Sequence, residues 1–399
     1  MARMRVGFVG VGDISGIYLK NFHGMFANDI EVVGVCDLLR EKAARAAAKY
    51  HIPKIYRDMH ELFADPQVDI VLNLTRPAEH YDVTKAALEA GKPVYTEKPL
   101  AATFAQGKEL LELAQARGLM LCGAPDTFLG AGVQGCRRLL EADVIGKPVG
   151  AAAHMICHGH ETWHPDPEFY YQAPGGGPML DMGPYYVTAL TQFFGPVQSV
   201  VGMARATYPK RWITSQPLSG TEIDVTVPTY QAALLRFRSG AIATLVTTFD
   251  VYSMPGVNHI ELYGERGNMI VPDPNEFGGE IKIKIGERNS AGAKQNWGHG
   301  KWIPIDSPYD SFSANSRGVG LYDMAQAMRT GRAPRASAAL QTLHVLEVLE
   351  AVARSEGSAI EITSPFEAQA TLPFSAGRGE PPTWETVQQR KKLCREIGR

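Results

Sequence analysis

The stretch Arg5-Val-Gly-Phe-Val-Gly-Val-Gly-Asp-Ile-Ser-Gly16 decides the fold. Val6 to Val9 is a short apolar run with the character of a buried strand. Gly10 and Gly12 follow as a G-x-G turn, and Ile17-Tyr-Leu-Lys20 opens a helix-compatible segment. Strand, glycine turn and helix in that order form the context a dinucleotide fingerprint requires. Gly10 permits the tight turn. Gly12 lets backbone N–H groups approach a pyrophosphate, which sits at the positive end of the next helix. Asp13 and Ile14 complete the turn, and Ser15 stands where a third small residue is needed for close helix–strand packing. A second apolar strand, Glu31-Val-Val-Gly-Val-Cys-Asp37, ends in an acid. A carboxylate there accepts hydrogen bonds from an adenosine ribose and repels a 2′-phosphate, so Asp37 favours NAD over NADP.

Working outward, the chain has 399 residues, enough for two domains with cores of their own. Hydrophobic residues at 45% and charged residues at 21% give a soluble globular balance. A formal net charge of −2 offers no electrostatic case for nucleic-acid or membrane partners. Cys36, Cys122, Cys136, Cys157 and Cys394 are scattered and odd in number, without C-x-x-C spacing. That pattern argues against a disulfide framework or zinc knuckle and points to a reducing cytoplasm. No apolar run is long enough to span a bilayer, and the immediate entry into the first strand predicts no cleavable signal.

Along the chain, helices are predicted over 41–50, 58–63, 79–90 and 103–117, with strands over 68–75 and 119–123 between them. Such alternation predicts a parallel, doubly wound sheet. After about Gly123 the pattern changes to longer alternating strands over 149–156, 197–206, 229–237, 241–251 and 259–264, with hairpin turns at Arg238-Ser-Gly240 and Gly264-Glu-Arg-Gly267. The expectation is a Rossmann domain over 1–124 and an α/β domain with a large, mainly antiparallel open sheet over 125–363, followed by a C-terminal extension over 364–399. Amphipathic helices are predicted over 318–330 and 338–355, and a charged surface helix over 383–397.

Four pieces of sequence, in this order, resemble the Gfo/Idh/MocA oxidoreductases, the glucose–fructose oxidoreductase and inositol dehydrogenase superfamily. They are Gly10-Val-Gly-Asp-Ile-Ser15, Thr75 to His80, Glu97-Lys-Pro99, and Gly175-Gly-Gly-Pro-Met-Leu-Asp-Met-Gly-Pro-Tyr185. The likeness runs from about Arg5 to Ile362. It implies cofactor contacts from Thr75, Arg76, His80, Glu97 and Lys98. It also implies a sheet whose open face serves as a dimer or tetramer interface. Three departures stand out. Thr75-Arg-Pro77 replaces a common Thr-Pro-Asn and adds a charge near the cofactor. Pro125-Asp-Thr-Phe128 replaces an Asn-Tyr-Arg-Phe pattern, so Thr127 stands where an arginine contact to substrate is usual. Tyr185 replaces a histidine found in many members.

Hydride transfer from a secondary alcohol needs a group to remove the hydroxyl proton and a positive charge to stabilise the developing oxyanion. Lys98, at the end of a predicted parallel strand, lies where the ligand crevice of an open α/β sheet forms, and the resemblance assigns it as the catalytic lysine. Asp181 and Tyr185 are four apart and share a face if that segment is one helix. A neighbouring Lys⁺ is expected to lower the tyrosine pKa. The predicted acid/base pair is therefore Lys98 and Tyr185, with Asp181 as orienter. The segment His154-Met-Ile-Cys-His-Gly-His-Glu-Thr-Trp-His164 is rich in histidine. His158 and His160 are two apart and share a face on a strand. No zinc spacing is matched, and no metal is predicted. The favoured role for His158, His160, Trp163 and His164, with Tyr170 and Tyr171, is a polar aromatic lining for a sugar ring; an ordinary loop is the alternative. Lys210-Arg-Trp212 is read as a solvated turn, or as a contact for an anionic sugar substituent.

The predicted function is an NAD-dependent oxidoreductase acting on a ring hydroxyl of a sugar, glycoside or cyclitol. Two rivals share the same residues. One is a redox-neutral glycoside hydrolase that oxidises the ring, eliminates the aglycone, adds water and returns the hydride. The other is a sugar- or NAD-sensing regulator without turnover.

Overall fold

The computed structural model describes residues 2–253, 256–285, 301–336 and 341–366, together with 386 and 389. Of the helix predicted over 383–397, all but residues 386 and 389 lie outside the described residues.

The first 123 residues build a six-stranded parallel sheet from β1 (Met4–Val9), β2 (Ile30–Cys36), β3 (Lys54–Ile55), β4 (Ile70–Asn73), β5 (Val94–Thr96) and β6 (Leu121–Gly123). The strand order is β3-β2-β1-β4-β5-β6. Five helices make the crossovers: α1 (Ser15–His23), α2 (Arg40–Tyr50), α3 (Met59–Ala64), α4 (His80–Glu89) and α5 (Phe104–Ala116). Strand alternation feeds two separate cores. Ile70 and Leu72 of β4 point into the layer that holds Tyr18, Leu19 and Phe22 of α1, whereas Val71 points into the layer that holds Val83 and Ala87 of α4 and Leu110 of α5. Helices therefore cover both faces, as a buried parallel sheet requires. Caps fix where helices begin: Asp58 accepts from Glu61 N, and Thr103 accepts from Gln106 N. The order reverses between β1 and β4, and the crevice beyond their carboxyl ends is where such sheets bind ligands.

The second sheet has nine strands in the order β16-β15-β14-β13-β7-β12-β11-β8-β17. They are β7 (Pro148–Ile156), β8 (Val197–Arg205), β11 (Tyr230–Phe237), β12 (Ile242–Thr248), β13 (Ile260–Gly264), β14 (Gly267–Val271), β15 (Ile281–Ile285), β16 (Ile303–Ile305) and β17 (Ile360–Glu361). Only β7 and β12 run parallel; the other pairs are antiparallel. A separate ribbon joins β9 (Lys210–Trp212) to β10 (Glu222–Asp224). One face is packed by α6 (Ala131–Glu141), α8 (Gly183–Phe194) and α10 (Leu343–Arg354), while α9 (Val319–Thr330) lies against β6 of the first sheet. Every residue of α8 is buried, so that helix is a core element throughout.

Among the described residues no helix covers the other face. Its register runs Val201–Leu234–Thr244–Ala152–Glu261–Ile270–Lys282 across seven strands. On this face Met203 is 70% exposed, and Leu234 and Ile242 are each about half exposed. The strands β14 to β16 extend the sheet beyond the predicted set. Ile281-Lys-Ile-Lys-Ile285 does alternate with period two, its isoleucines buried and its lysines half-buried. Among the described residues no helix is long and apolar enough to cross a membrane.

Gly10 has φ +90°, and a Cβ there would lie 2.7 Å from the Leu74 carbonyl oxygen. The turn after β1 therefore packs on the backbone leaving β4, and alanine fits neither the dihedral nor the gap. Gly10→Ala is expected to cost about 2 kcal/mol or more of stability, roughly the left-handed backbone penalty plus the clash; urea unfolding monitored by circular dichroism measures it.

Candidate active site

The end of β5 carries Glu97 and Lys98 into the crevice. The Lys98 ammonium donates to the Asp181 carboxylate (Oδ1, 2.6 Å) and to the Asp181 main-chain carbonyl (2.6 Å). The second oxygen of Asp181 takes a hydrogen bond from His160 Nε2 at 2.8 Å. The same ammonium lies 5.5 Å from the centroid of the Tyr185 ring. Lys98, Asp181, His160 and Tyr185, drawn from a strand end, a helix end, a loop and a second helix, thus form one cluster. Glu97 is buried below it and accepts from Tyr18 of α1 (2.8 Å) and from the Lys98 backbone N–H (2.9 Å).

Two expectations at this cluster need correction. Asp181 and Tyr185 are not on one helix. Asp181 ends α7 (Pro178–Asp181), Met182 breaks the path, and Tyr185 stands in the first turn of α8. Pro184 explains the break, since proline lacks the N–H and crowds the carbonyl four residues earlier. The expected lowering of the Tyr185 pKa is also overturned. Burial dominates and raises it, while Lys98 and then Arg317 pull it back only in part.

The charges at Lys98 and Asp181 are mutually fixed. Burial opposes the Lys98 ammonium, but Asp181, Tyr185 and Glu97 together outweigh it and raise its pKa. Burial likewise opposes the Asp181 carboxylate, but Lys98 and His160 hold it below the usual carboxylate range. A depressed carboxylate stays ionised until strong acid, and a raised ammonium stays charged into strong base, so the pair persists across the whole neutral range.

Past Ile156 the histidine-rich segment is a loop, not a strand. β7 stops at Ile156, and Gly159 at φ +108° separates His158 from His160. The two do not share a face: His160 is buried, whereas His158 is exposed and edge-on to Tyr252. The His160 ring is enclosed by Trp163, Tyr170 and Phe249, with centroids 4.2–5.1 Å away. Its Nδ1 is buried without a hydrogen-bond partner among the described residues. Trp163 is 61% exposed and flanks the pocket. Among the described residues no group of three or more His, Cys, Asp or Glu is arranged to hold a metal ion.

A buried ionic network that the sequence did not reveal supports this loop. Arg211 donates to Glu161 Oε1 (2.6 Å), to the His158 carbonyl (3.0 Å), to the Phe249 carbonyl (2.7 Å) and to Asp250. Tyr171 bonds the other Glu161 oxygen and accepts from His160 N (3.1 Å). The solvated-turn reading of Lys210-Arg-Trp212 is therefore wrong at its centre. Lys210 and Trp212 are exposed, but Arg211 is buried between two carboxylates. The alternation of β9 places only the middle residue inward. Arg317, in the loop before α9, is a second residue missed. Its guanidinium bonds Asn275 Oδ1 (2.6 Å) and Asn315 Oδ1 (2.9 Å) and faces the Tyr185 hydroxyl.

The remaining predicted residues surround the crevice at the β1 and β4 ends. Ser15 is buried and turns its hydroxyl onto the Gly12 carbonyl (2.6 Å), closing the glycine turn. Thr75 is held by Asn73 (Oγ1 to Oδ1, 2.7 Å). His80 is buried between the carbonyls of Pro99 (2.7 Å) and Thr75 (3.0 Å), and burial pushes its pKa down. It braces the two loops and does not line the crevice. Arg76 pairs with Asp166 and covers the Phe169 ring at 5.4 Å, so its charge faces the loop of the second sheet. Asp13, exposed in the turn, lies 3.5 Å from His164 Nε2. Thr127 is buried, its hydroxyl without a partner among the described residues.

These residues fit a dinucleotide. A Cβ on Gly12 would meet nothing within 4 Å, so the space above the turn is open. α1 begins without a side-chain cap, which suits a pyrophosphate at its N-terminus. Asp37 accepts from Val11 N (2.8 Å) and Leu39 N (2.9 Å), which fixes its carboxylate at the tip of β2. Beside it Leu38 is fully exposed, an apolar surface suited to an adenine face. Residues 4–123 match the family model described as "Oxidoreductase family, NAD-binding Rossmann fold", and residues 133–270 match the model of the GFO/IDH/MocA C-terminal domain.

The chain belongs to the Gfo/Idh/MocA oxidoreductase family. Its first domain is that family's NAD-binding domain. Curated relatives include inositol 2-dehydrogenase of Salmonella typhimurium, 34% identical over 159 residues, which is 39% of this chain and 45% of the relative. Another is trans-1,2-dihydrobenzene-1,2-diol dehydrogenase of Macaca fascicularis, 31% identical over 192 residues, 48% of this chain and 56% of the relative. The matched region spans about half the length of these relatives. The fold of levoglucosan dehydrogenase, solved with NADH and L-sorbose, superposes with TM-score 0.76 at 18% identity over 91% of this chain and all of that one. An NAD-binding oxidoreductase of Klebsiella pneumoniae gives 0.74 at 21% over the same shares. These likenesses show a shared fold that runs over both sheets.

Asp126 follows β6 and is buried under the cluster, where its carboxylate accepts from Gly318 N (2.8 Å) and Gly320 N (3.0 Å). Burial still pushes its pKa up to about 6. A carboxyl raised above its unfolded value binds an extra proton in the folded state, so stability falls as pH rises from about 4 to 6, by on the order of 3 kcal/mol. Asp126→Asn is expected to remove that slope while keeping an acceptor for the two glycines; urea unfolding of both proteins at pH 4, 5, 6 and 7 measures it.

Proposed function

We propose that this protein is an NAD-dependent dehydrogenase that moves a hydride between a ring hydroxyl of a sugar, glycoside or cyclitol and the nicotinamide. The observation that carries this reading is the convergence of Lys98, Asp181 and Tyr185 at the carboxyl end of the Rossmann sheet. The division into domains 1–124 and 125–363 with an extension over 364–399 belongs to the same reading. NAD, when bound, supplies the hydride acceptor. Lys98 stays protonated because Asp181 holds its charge, so its role is to bind the reacting oxygen and stabilise negative charge there. Tyr185 is the group that changes protonation state. Its raised pKa leaves it a phenol near neutrality, ready to donate to a carbonyl oxygen, while alcohol oxidation, which needs the proton removed, gains from alkaline pH. Asp181 orients Lys98, and the half-buried Tyr170 with exposed Trp163 offers faces for a sugar ring.

One observation favours the redox-neutral glycosidase as a second reading. His160 adds a further proton carrier on Asp181, and elimination followed by hydration needs more acid/base groups than oxidation alone. NADH accumulation separates the two: a dehydrogenase builds it in proportion to product, and a hydrolase releases aglycone without it. The uncovered face of the nine-stranded sheet, with Met203, Leu234 and Ile242 exposed, supports a homodimer or homotetramer. The free thiols of Cys36, Cys122, Cys136 and Cys157 support a cytoplasmic location.

Screened against sugars, glycosides and cyclitols with NAD, the wild type is expected to form NADH. Lys98→Met is expected to lower kcat about 10²- to 10⁴-fold, with the NADH dissociation constant changed far less. Unchanged turnover would remove Lys98 from the mechanism. Leu234→Glu is expected to shift the sedimentation profile from oligomer to monomer; an identical profile would take the uncovered face out of the assembly.

A further inference from the structure

Arg317 is a half-buried cation that, among the described residues, makes no ion pair within 4 Å, although nearly every other inward arginine of the chain does. Neutral groups hold it instead. Asn275 accepts from Nη2 through Oδ1 (2.6 Å) and its carbonyl (3.2 Å), Asn315 accepts from Nη1 (2.9 Å), and the Phe277 ring lies 5.9 Å from the guanidinium carbon. The backbone on either side is equally constrained. Asn21 of α1 donates to the Arg317 carbonyl (2.8 Å), and the next glycines, 318 and 320, donate to Asp126. Groups from both domains thus fix the guanidinium in one place. Asp126 and Glu97 attract it from farther off, but no carboxylate lies within 4 Å among the described residues, and the group it faces is the Tyr185 hydroxyl.

We propose that Arg317 is a positioning residue for proton transfer at Tyr185: held by Asn275 and Asn315, it presents a fixed positive charge to the phenol oxygen while Lys98 lies over the ring. The two cations divide the work. Lys98 is tied to Asp181 and serves the reacting oxygen. Arg317 serves the tyrosine, countering the burial that disfavours phenolate. The charged and titratable groups facing Tyr185 are Lys98 and Glu97 from the end of β5, Tyr170 from the loop, and Arg317. Among them only Lys98 and Arg317 favour the phenolate, and only Arg317 does so without a carboxylate in contact. The proposal rests on the dehydrogenase reading for its kinetic consequence but not for the electrostatic one.

The test joins a titration to a double-mutant cycle. Tyrosines are labelled at Cζ with ¹³C, the Tyr185 resonance is assigned by its loss in Tyr185→Phe, and the full-length protein is titrated with NADH bound. Arg317→Gln is expected to displace the Tyr185 titration to higher pH by about one unit, with Arg317→Lys in between. Turnover is followed with whichever polyol the NAD screen yields. There Arg317→Gln is expected to lower kcat about tenfold with KM little changed, and to cost nothing further in the Tyr185→Phe background. Coincident titration curves overturn the proposal, as does an equal kcat loss with and without the Tyr185 hydroxyl. If the glutamine variant does not fold, the lysine variant carries the same comparison. The titration needs no substrate, so a failed polyol screen counts against the dehydrogenase reading and leaves this test standing.

Discussion

The lysine ammonium at position 98 is held between the carboxylate and the main-chain carbonyl of Asp181, and most of the site geometry depends on that pair. The lysine comes from the parallel sheet and the aspartate from the helical segment that follows the triple glycine, so the bond joins the two halves of the chain at the crevice. Both groups have lost most of their water. Such a pair is expensive to form and more expensive to break on one side, because the surviving charge is left buried alone. Its effect is therefore as much geometric as energetic: it fixes where the second domain meets the first. His160, bonded to the other aspartate oxygen, extends the constraint into the loop, and Arg211, Glu161 and Asp250 hold that loop from behind.

Much of this architecture was legible in the residues. The glycine turn after β1 is marked by Gly10 and Gly12, the parallel doubly wound sheet follows from alternating helices and strands, and Glu97-Lys98 falls at a strand end where parallel sheets gather chemistry. Local rules reach that far because each concerns neighbours in sequence. They fail where the partners are distant. Arg211 sits in a triplet whose flanking residues are exposed, and nothing nearby announces that Glu161 and Asp250 will converge on it. Arg317 lies in a polar turn before a helix; only Gly318, which adopts φ +101° at the start of α9, marks the turn as unusual. The histidine-rich segment misled for a related reason. Alternation predicts a shared face only while the strand continues; β7 has already ended at Ile156, and Gly159 then turns the backbone between His158 and His160.

The tyrosine shows how magnitude decides between two sound rules. A neighbouring ammonium does lower a phenol pKa, and burial does raise it. At Tyr185 both act, and burial wins because α8 is enclosed along its whole length. A tyrosine in that setting is a proton donor first, and it becomes a base only with help from fixed positive charge. On the proposed mechanism, a lysine held by its aspartate and an arginine anchored by amides supply one cation for each oxygen that gains charge.

The loop that carries Trp163 to Tyr171 touches both lips of the crevice, through His164 beside Asp13 on one side and Asp166 with Arg76 on the other. The Arg76–Asp166 clasp is an exposed ion pair, whose attraction fades as salt rises, whereas burial lowers the His164 pKa, so that its contact with Asp13 is made by a neutral ring near neutrality. At one lip, then, the strap is fastened by the kind of bond most easily loosened without disturbing the core. Salt that loosens this outer pair leaves the sheltered Lys98–Asp181 pair deeper in the cleft in place.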